Sequence, residues 1–374
     1  MEATVIVIGG GVAGLTAALE LSLAGIDVLL IEKYGYPRHK VCGEYVSNEV
    51  YPYLESLGLF PSRLGAVAID RLQVSAPSGK VLATDLDSGG FGLSRYALDQ
   101  ELYRLCKRAG TRFLLDTSVS KVDSFPSGYH VTTSDGLVVK GVFVVGAYGK
   151  RSALDVKAAR PFTRKVSPFL AVKYHIRFDH AKDFISLHNF DGGYCGMSAV
   201  EGDRSCLCYL TSLQNLKKCG GSLTRMEQEV LGRNPHLREI FSQAQFLYEK
   251  PLVISEISFS EKSAIEGGML MTGDSAGLIA PLCGNGMAMA IHSAKILAGL
   301  LVAHLNEGGT PELLSSQYAR EWDTNFSNRL RVGRMIQHLF GSAWLTEAIV
   351  SLLRRAPKLA RHVVRLTHGI QVPV

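Results

Sequence analysis

Cysteine is scarce and irregular in this chain: seven among 374 residues, at 42, 106, 195, 206, 208, 219 and 283. An odd count without repeating intervals gives no disulfide framework, and reduced thiols are expected. Cys206 and Cys208 stand two apart on an expected strand and lack the second pair that a zinc site needs. His175, His180 and His188 also lack ligand spacing, so no metal site is expected. Nothing approaches eighteen uninterrupted apolar residues, which argues against a membrane-spanning helix. Repeats, low-complexity tracts, Ser–His–Asp sets, HExxH and paired carboxylates are missing too, and with them solenoids and the common hydrolytic centres. Net charge is lacking outside the C-terminus. Residues 331–374 hold seven Arg or Lys and one Glu, equal to the whole net charge of +6. The neutral remainder argues against a nucleic-acid partner and leaves a basic terminal segment with its own role.

What is present begins at residue 4. An apolar, β-branched run, Thr4 to Ile8, enters Gly9-Gly10-Gly11-Val12-Ala13-Gly14; a helical pattern follows to about Ala24, then a second apolar run, Asp27 to Ile31, closed by Glu32. Strand, glycine turn, helix, strand and acid in this order are what a dinucleotide site needs. Gly9 permits the tight turn, Gly11 the approach of a pyrophosphate, and Gly14 close packing of helix on sheet. The helix start at Val12 and Ala13 offers free N–H groups to phosphate. Glu32 is placed for a ribose hydroxyl pair, with Lys33 beside it. A unit starting this early leaves no room for a cleaved leader, so a cytoplasmic location is expected.

Further along, 72–86 reads as a hairpin around Pro77-Ser78-Gly79, and 94–110 as a helix stopped by glycine. A strand and a hairpin turning at Asp135-Gly136 precede a buried strand that enters a glycine turn near 147–149. Residues 165–260 alternate as β-segments with one helical insert near 222–233. A buried strand runs from 269 into a turn, and the chain reads as helical from Gly286.

Three more segments carry a family resemblance. The stretch 267–301, with Gly273-Asp274 and then Pro281, Gly284, Gly286 and Met287, resembles the second FAD motif of glutathione-reductase-type flavoproteins. The branch is that of p-hydroxybenzoate hydroxylase and the geranylgeranyl reductases. SRYALDQEL (94–102) is similar to that family's R-x-x-L-D-x-x-L helix start, which implies that Arg95 lies by the FAD phosphates and Val119 by the adenine. PRHKVCGE (37–44) resembles the reductases' P-x-x-K-x-C-G loop and implies that Cys42 lies beside the flavin. Tyr194 and Met197 fall in a segment resembling the reductases' G-Y-x-W-x-F-P substrate motif. Three departures stand out: Gly277 where the hydroxylases carry His, Tyr148 where their A-D-G carries Asp, and no W-x-W-x-I-P motif of the halogenases.

The resemblance implies an α/β fold. A Rossmann-like, three-layer ββα FAD-binding domain (1–69, 93–164, 255–330) interleaves with an antiparallel β-sheet substrate domain (70–92, 165–254). A basic helical segment (331–374) follows. It implies non-covalent FAD and hydride transfer to or from a hydrophobic, isoprenoid- or polyketide-like molecule. An FAD monooxygenase is the alternative, a halogenase a more distant one, and a flavin electron carrier the non-enzymatic one. No second GxGxxG occurs, so electrons would come from transient NADPH or NADH, or from a redox partner. No catalytic residue is assigned. The tail 345–369, with Leu352, Leu359, Val363 and Leu366 among five basic residues, could seat on an anionic membrane. Packing on the domain with its basic face in water is the favoured expectation, because Pro357 interrupts the face.

Overall fold

A computed structural model of the chain describes residues 1–164, 167–280, 284–339, 342–365, 369 and 371–374. It opens with β1 (Glu2–Ile8), α1 (Val12–Leu23) and β2 (Val28–Ile31), then β3 (Tyr45–Ser47), α2 (Tyr51–Ser56), β4 (Val67–Ser75) and β5 (Val81–Gly92). Next come α3 (Arg95–Arg108), β6 (Arg112–Leu114), β7 (Val119–Phe125), β8 (Gly128–Thr133), β9 (Val138–Gly146) and α4 (Ala153–Lys157). Four long strands follow: β10 (Phe169–Arg177), β11 (Phe184–Phe190), β12 (Gly193–Val200) and β13 (Arg204–Ser212). After α5 (Leu213–Lys218), α6 (Leu223–Glu229) and α7 (Pro235–Gln243) come short strands β14 (Gln245–Phe246), β15 (Leu252–Ile254), β16 (Ile265–Glu266) and β17 (Met269–Met271). The chain ends in α8 (Gly286–Glu307), α9 (Pro311–Leu339), α10 (Ala343–Arg355) and α11 (Pro357–Arg365).

Two sheets carry the architecture. In the first, β16-β17-β9-β1-β2-β6 lie side by side, and β8 and β7 continue from β9. β1 runs parallel to β2 and β9, with Ile8 level with Ile31 and Gly146, and Met271 level with Gly146. Four strands therefore end at one edge, where ligands of open α/β sheets bind. α1 is buried nearly all round because α3 and α8 pack on it. A Cβ on Gly14 would sit 1.9 Å from the Gly9 carbonyl oxygen, so only glycine lets the helix lie this close.

The second sheet runs β14-β10-β13-β12-β11-β4-β5-β3, with β15 also on β10. Strand alternation gives it two faces. Val172, Tyr174, Cys195, Leu207 and Tyr209 pack under α5–α7, whereas Ala171, Leu187, Tyr194 and Leu210 join the core shared with the first sheet.

Two local expectations need correction. The single insert near 222–233 is three short helices, begun by Ser212, Ser222 and Asn234, whose side chains accept from the following backbone N–H groups. The tail is a helix pair with its break at Ala356, and Pro357 starts α11, since proline is tolerated in a first helical turn. And α8 is long and apolar enough to cross a membrane, although more than half of its most apolar stretch is buried against its neighbours, including α1 and α9. Leu366 lies outside the described residues.

Candidate active site

A cleft of about 1050 Å³ opens at the carboxyl edge of the first sheet and runs to the inner face of the second. Its near end is built by the glycine turn. Gly9 has φ +102°, and a Cβ there would meet the Ala147 carbonyl oxygen at 2.5 Å. Gly11 differs: a Cβ would touch only Arg95 Nη2, at 3.8 Å, so the space above it is open. No side chain caps α1 at Gly11, which leaves its first N–H groups directed at that space. The Arg95 guanidinium stands opposite, fixed by two bonds to Asp99 at 2.7 and 2.8 Å, and Lys40 meets the same carboxylate at 2.8 Å. Burial would raise the Asp99 carboxyl, but Arg95 and Lys40 draw it below its ordinary value. Two cations beside an open helix N-terminus form a built anion seat.

Glu32 closes the far end of this groove. It takes the Gly10 N–H at 2.6 Å and Arg38 at 3.0 Å, leaving carboxylate lone pairs for hydroxyls. Lys33 and Val119 line the cleft with it. On the opposite wall stand Asp274, Gly284, Gly286 and Met287 at the start of α8, where Asn285 gives no side-chain cap. Gly273 lies beneath, at φ +58°, where a Cβ would be 2.8 Å from that of Ala13. Lys262 holds the turn by donating to the Lys150 and Asp274 carbonyls, both at 2.7 Å, and burial pushes its ammonium down to about 8. Pro281 and Cys283 lie outside the described residues. The open seat above Gly11, the anion clamp and the Glu32 carboxylate in the same cleft fit FAD.

The second sheet supplies the rest of the cleft with Ala171, Ile185, Leu187, Tyr194, Leu210 and Ile254. Met197 borders it, yet its side chain packs with Cys195 and Tyr209 in the cluster under α5–α7. Cys42 and Cys208 reach the cleft half-buried, and the described cysteines are free thiols.

A buried cluster that the sequence reading passed over holds the Cys42 loop. The Glu44 carboxylate lies against the Lys173 ammonium, and its other oxygen is 2.6 Å from His175 Nε2; all three residues are buried. Arg95 N–H donates to Glu44 at 2.8 Å, and the Tyr248 hydroxyl meets His175 Nδ1 at 3.0 Å. Neighbouring loop carbonyls are held as well: Lys40 by Lys173, Cys42 by Cys206 and Gly43 by Ser198. Glu44 itself adopts φ +57°, a left-handed conformation costing an L-residue on the order of 1 kcal/mol. Burial would raise its carboxyl, but Lys173 and His175 bring it down to about 2. Glu44, His175 and Cys206 are also grouped as metal ligands would be, but the Lys173 ammonium already supplies the cation there. His39, stacked between Tyr96 and this cluster, is pushed down to about 4 by burial and by His175, so it is neutral at pH 7.

Gly277, one of the departures, has a packing cause. A Cβ there would meet Leu330 at 2.9 Å and Trp322 at 3.1 Å, both on α9. The glycine lets that helix lie on the turn.

Comparison with known proteins agrees with this geometry. Residues 2–88 match the family model for an FAD binding domain. Over 333 residues the chain is 25% identical to dialkyldecalin synthase of Streptomyces rugosporus, covering 85% of this chain and 69% of that protein. It is 24% identical to digeranylgeranylglycerophospholipid reductase 1 of Methanothermobacter thermautotrophicus, covering 85% and 82%. The flavin-dependent brominase Bmp2 superposes with a TM-score of 0.80 at 16% identity, over 100% of this chain and 95% of that one, a likeness of fold. Groove, fold and relatives together identify the chain as an FAD-dependent oxidoreductase built on a Rossmann-like α/β scaffold.

Proposed function

We propose that the chain is a flavin-dependent reductase that transfers hydride to or from a hydrophobic small molecule of isoprenoid or polyketide type. The observation that carries this reading is the continuity of the cleft. The groove that fits the dinucleotide and the Ile185–Leu187–Leu210 wall of the second sheet line one and the same cleft. An electron carrier has no use for such a wall, whereas an apolar substrate gains about 25 cal/mol for each Å² it buries there. Likeness to a lipid reductase favours an alkene-bearing substrate.

Bound FAD would supply the hydride chemistry, and the chain's own residues set the geometry. The α1 N-terminus and Arg95 would hold the pyrophosphate, Glu32 the ribose, and the dipole of α8 would favour negative charge on a reduced flavin. Lys173, His175 and Glu44 hold the Cys42 loop as one wall of the reaction space. The sheet excludes water from the substrate side. NADPH or NADH as transient donor is part of the same proposal; Tyr148 occupies the position at which the family's hydroxylases carry a carboxylate.

The test is the mass of the product formed from a panel of polyprenyl, quinone and polyketide compounds. Hydride transfer to the substrate yields a product two hydrogens heavier, and transfer from it one two hydrogens lighter. One added oxygen would instead mark a monooxygenase, and an added halogen a halogenase. A product of unchanged mass would mark a rearrangement or cyclisation in place of a redox step.

A further inference from the structure

We propose that the outer face of α10 and the start of α11 is a docking surface for an anionic lipid bilayer. α10 is apolar on two faces. Thr346, Val350 and Leu353 are buried against the body of the protein, which is the ordinary arrangement of a surface helix. On the opposite side Trp344, Ala348 and Leu352 recur every fourth residue and face outward. Trp344 is 75% exposed, Leu352 59% and, one turn into α11, Leu359 45%. Single exposed apolar residues are normal, but a tryptophan-led row on one helix face is a contact surface without its partner.

The charges around the row select that partner. Arg354, Arg355 and Lys358 are exposed beside Leu352 and Leu359, and none has an ion-pair partner among the described residues. The nearby acids are already engaged. Glu347 takes the Ser78 N–H at 2.6 Å and its hydroxyl at 2.9 Å. Asp85 pairs with Arg361 at 3.0 Å and Asp87 with Arg365 at 2.6 Å. An apolar row with an uncompensated basic rim complements an anionic interface, where tryptophan and arginine both find favourable depth. A second copy docked symmetrically would bring the same three cations against one another.

The position is also apt for a lipophilic substrate. Val364 of α11 packs on the cluster Tyr45, Ile69, Leu86 and Ile185, and Tyr45 and Ile185 line the cleft. The element that would touch the bilayer therefore backs the apolar wall.

The experiment is sedimentation of the flavin-loaded protein with vesicles of phosphatidylcholine alone or mixed with phosphatidylglycerol. Tryptophan emission is read in parallel: Trp322 is buried, so a blue shift on binding reports Trp344. The expected result is binding to mixed vesicles and little to neutral ones. Arg354→Gln, Arg355→Gln and Lys358→Gln together should weaken it on the order of 100-fold, at about tenfold or less for each charge. Trp344→Ser with Leu352→Ser should abolish the blue shift and most binding, with flavin content and Tm held. Equal binding to both vesicles, binding to neither, or binding indifferent to these variants overturns the proposal. So does a wild-type dimer that the Trp344→Ser, Leu352→Ser variant converts to monomer, since the face would then belong to a second copy. Vesicle binding is read without substrate, so its failure leaves the assignment of the cleft intact.

Discussion

Glu44 and His175 meet at 2.6 Å across 131 residues of chain, and that contact fastens the loop beside the dinucleotide groove to the second sheet. Lys173 reinforces it from the same strand, β10. The pair couples the two sheets at the point where cofactor and substrate would meet, so its loss should be felt in both stability and turnover.

The acid limb of stability should carry the mark of Glu44. Its folded carboxyl lies near 2, against an ordinary 4.5, so its contribution is full above pH 4.5 and is lost as pH falls toward 2. A shift of this size corresponds to about 3 kcal/mol. Urea denaturation of wild type and Glu44→Gln should show a gap of that order at pH 7 that shrinks by pH 3. A gap independent of pH would contradict the assignment.

Two glycines of one turn should fail differently. Gly14→Ala places a methyl group against the Gly9 carbonyl, so it should destabilise the fold by about 2–4 kcal/mol or prevent folding. At Gly11 a Cβ meets only the end of Arg95, so the apoprotein of Gly11→Val should keep its Tm within a few degrees and lose FAD affinity on the order of 100-fold. Calorimetry of both apoproteins with flavin titration checks the contrast; an unfolded Gly11→Val would undo it.

Gly277→Ala should cost about 1–3 kcal/mol through overpacking against Leu330 and Trp322, with the reaction type unchanged. Thermal denaturation and product mass, measured on the same preparation, check both halves. An altered product from a stable variant would show that the position bears on chemistry.

Tyr148 lines the cleft with its hydroxyl 3.9 Å from the Met271 sulfur, and burial raises its pKa above the ordinary phenol value. It is therefore uncharged at neutral pH and gives nicotinamide handling no carboxylate. Anaerobic flavin reduction by NADPH or NADH should be slow in wild type and at least tenfold faster in Tyr148→Asp. Fast wild-type reduction, unchanged or slowed by the substitution, would refute this.

The geometry of the glycine turn was legible because its signals are local. Gly9, Gly11, Gly14 and Glu32 follow one another within a single strand–turn–helix–strand unit, and each has a steric or hydrogen-bonding reason that neighbouring residues reveal. The Glu44–Lys173–His175 cluster was not legible, since nothing local joins residue 44 to a strand more than a hundred residues later. A trace existed: FLAVKYHIR places Lys and His two apart on an otherwise apolar strand, and a buried lysine on one face requires a carboxylate opposite. The three helices α5–α7 were compressed into one because each is short, although Ser212, Ser222 and Asn234 offered the cap signals. The packing of Gly277 against α9 was not legible either, a contact invisible before the C-terminal helices are placed.

The most direct test is anaerobic mixing of photoreduced, FAD-loaded enzyme with an unsaturated isoprenoid substrate, followed by flavin absorbance. The account predicts that oxidised flavin returns in proportion to substrate reduced, without oxygen, and that Leu187→Asp in the apolar wall suppresses the return. Flavin that stays reduced until oxygen is admitted, with oxygen then found in the product, would contradict it.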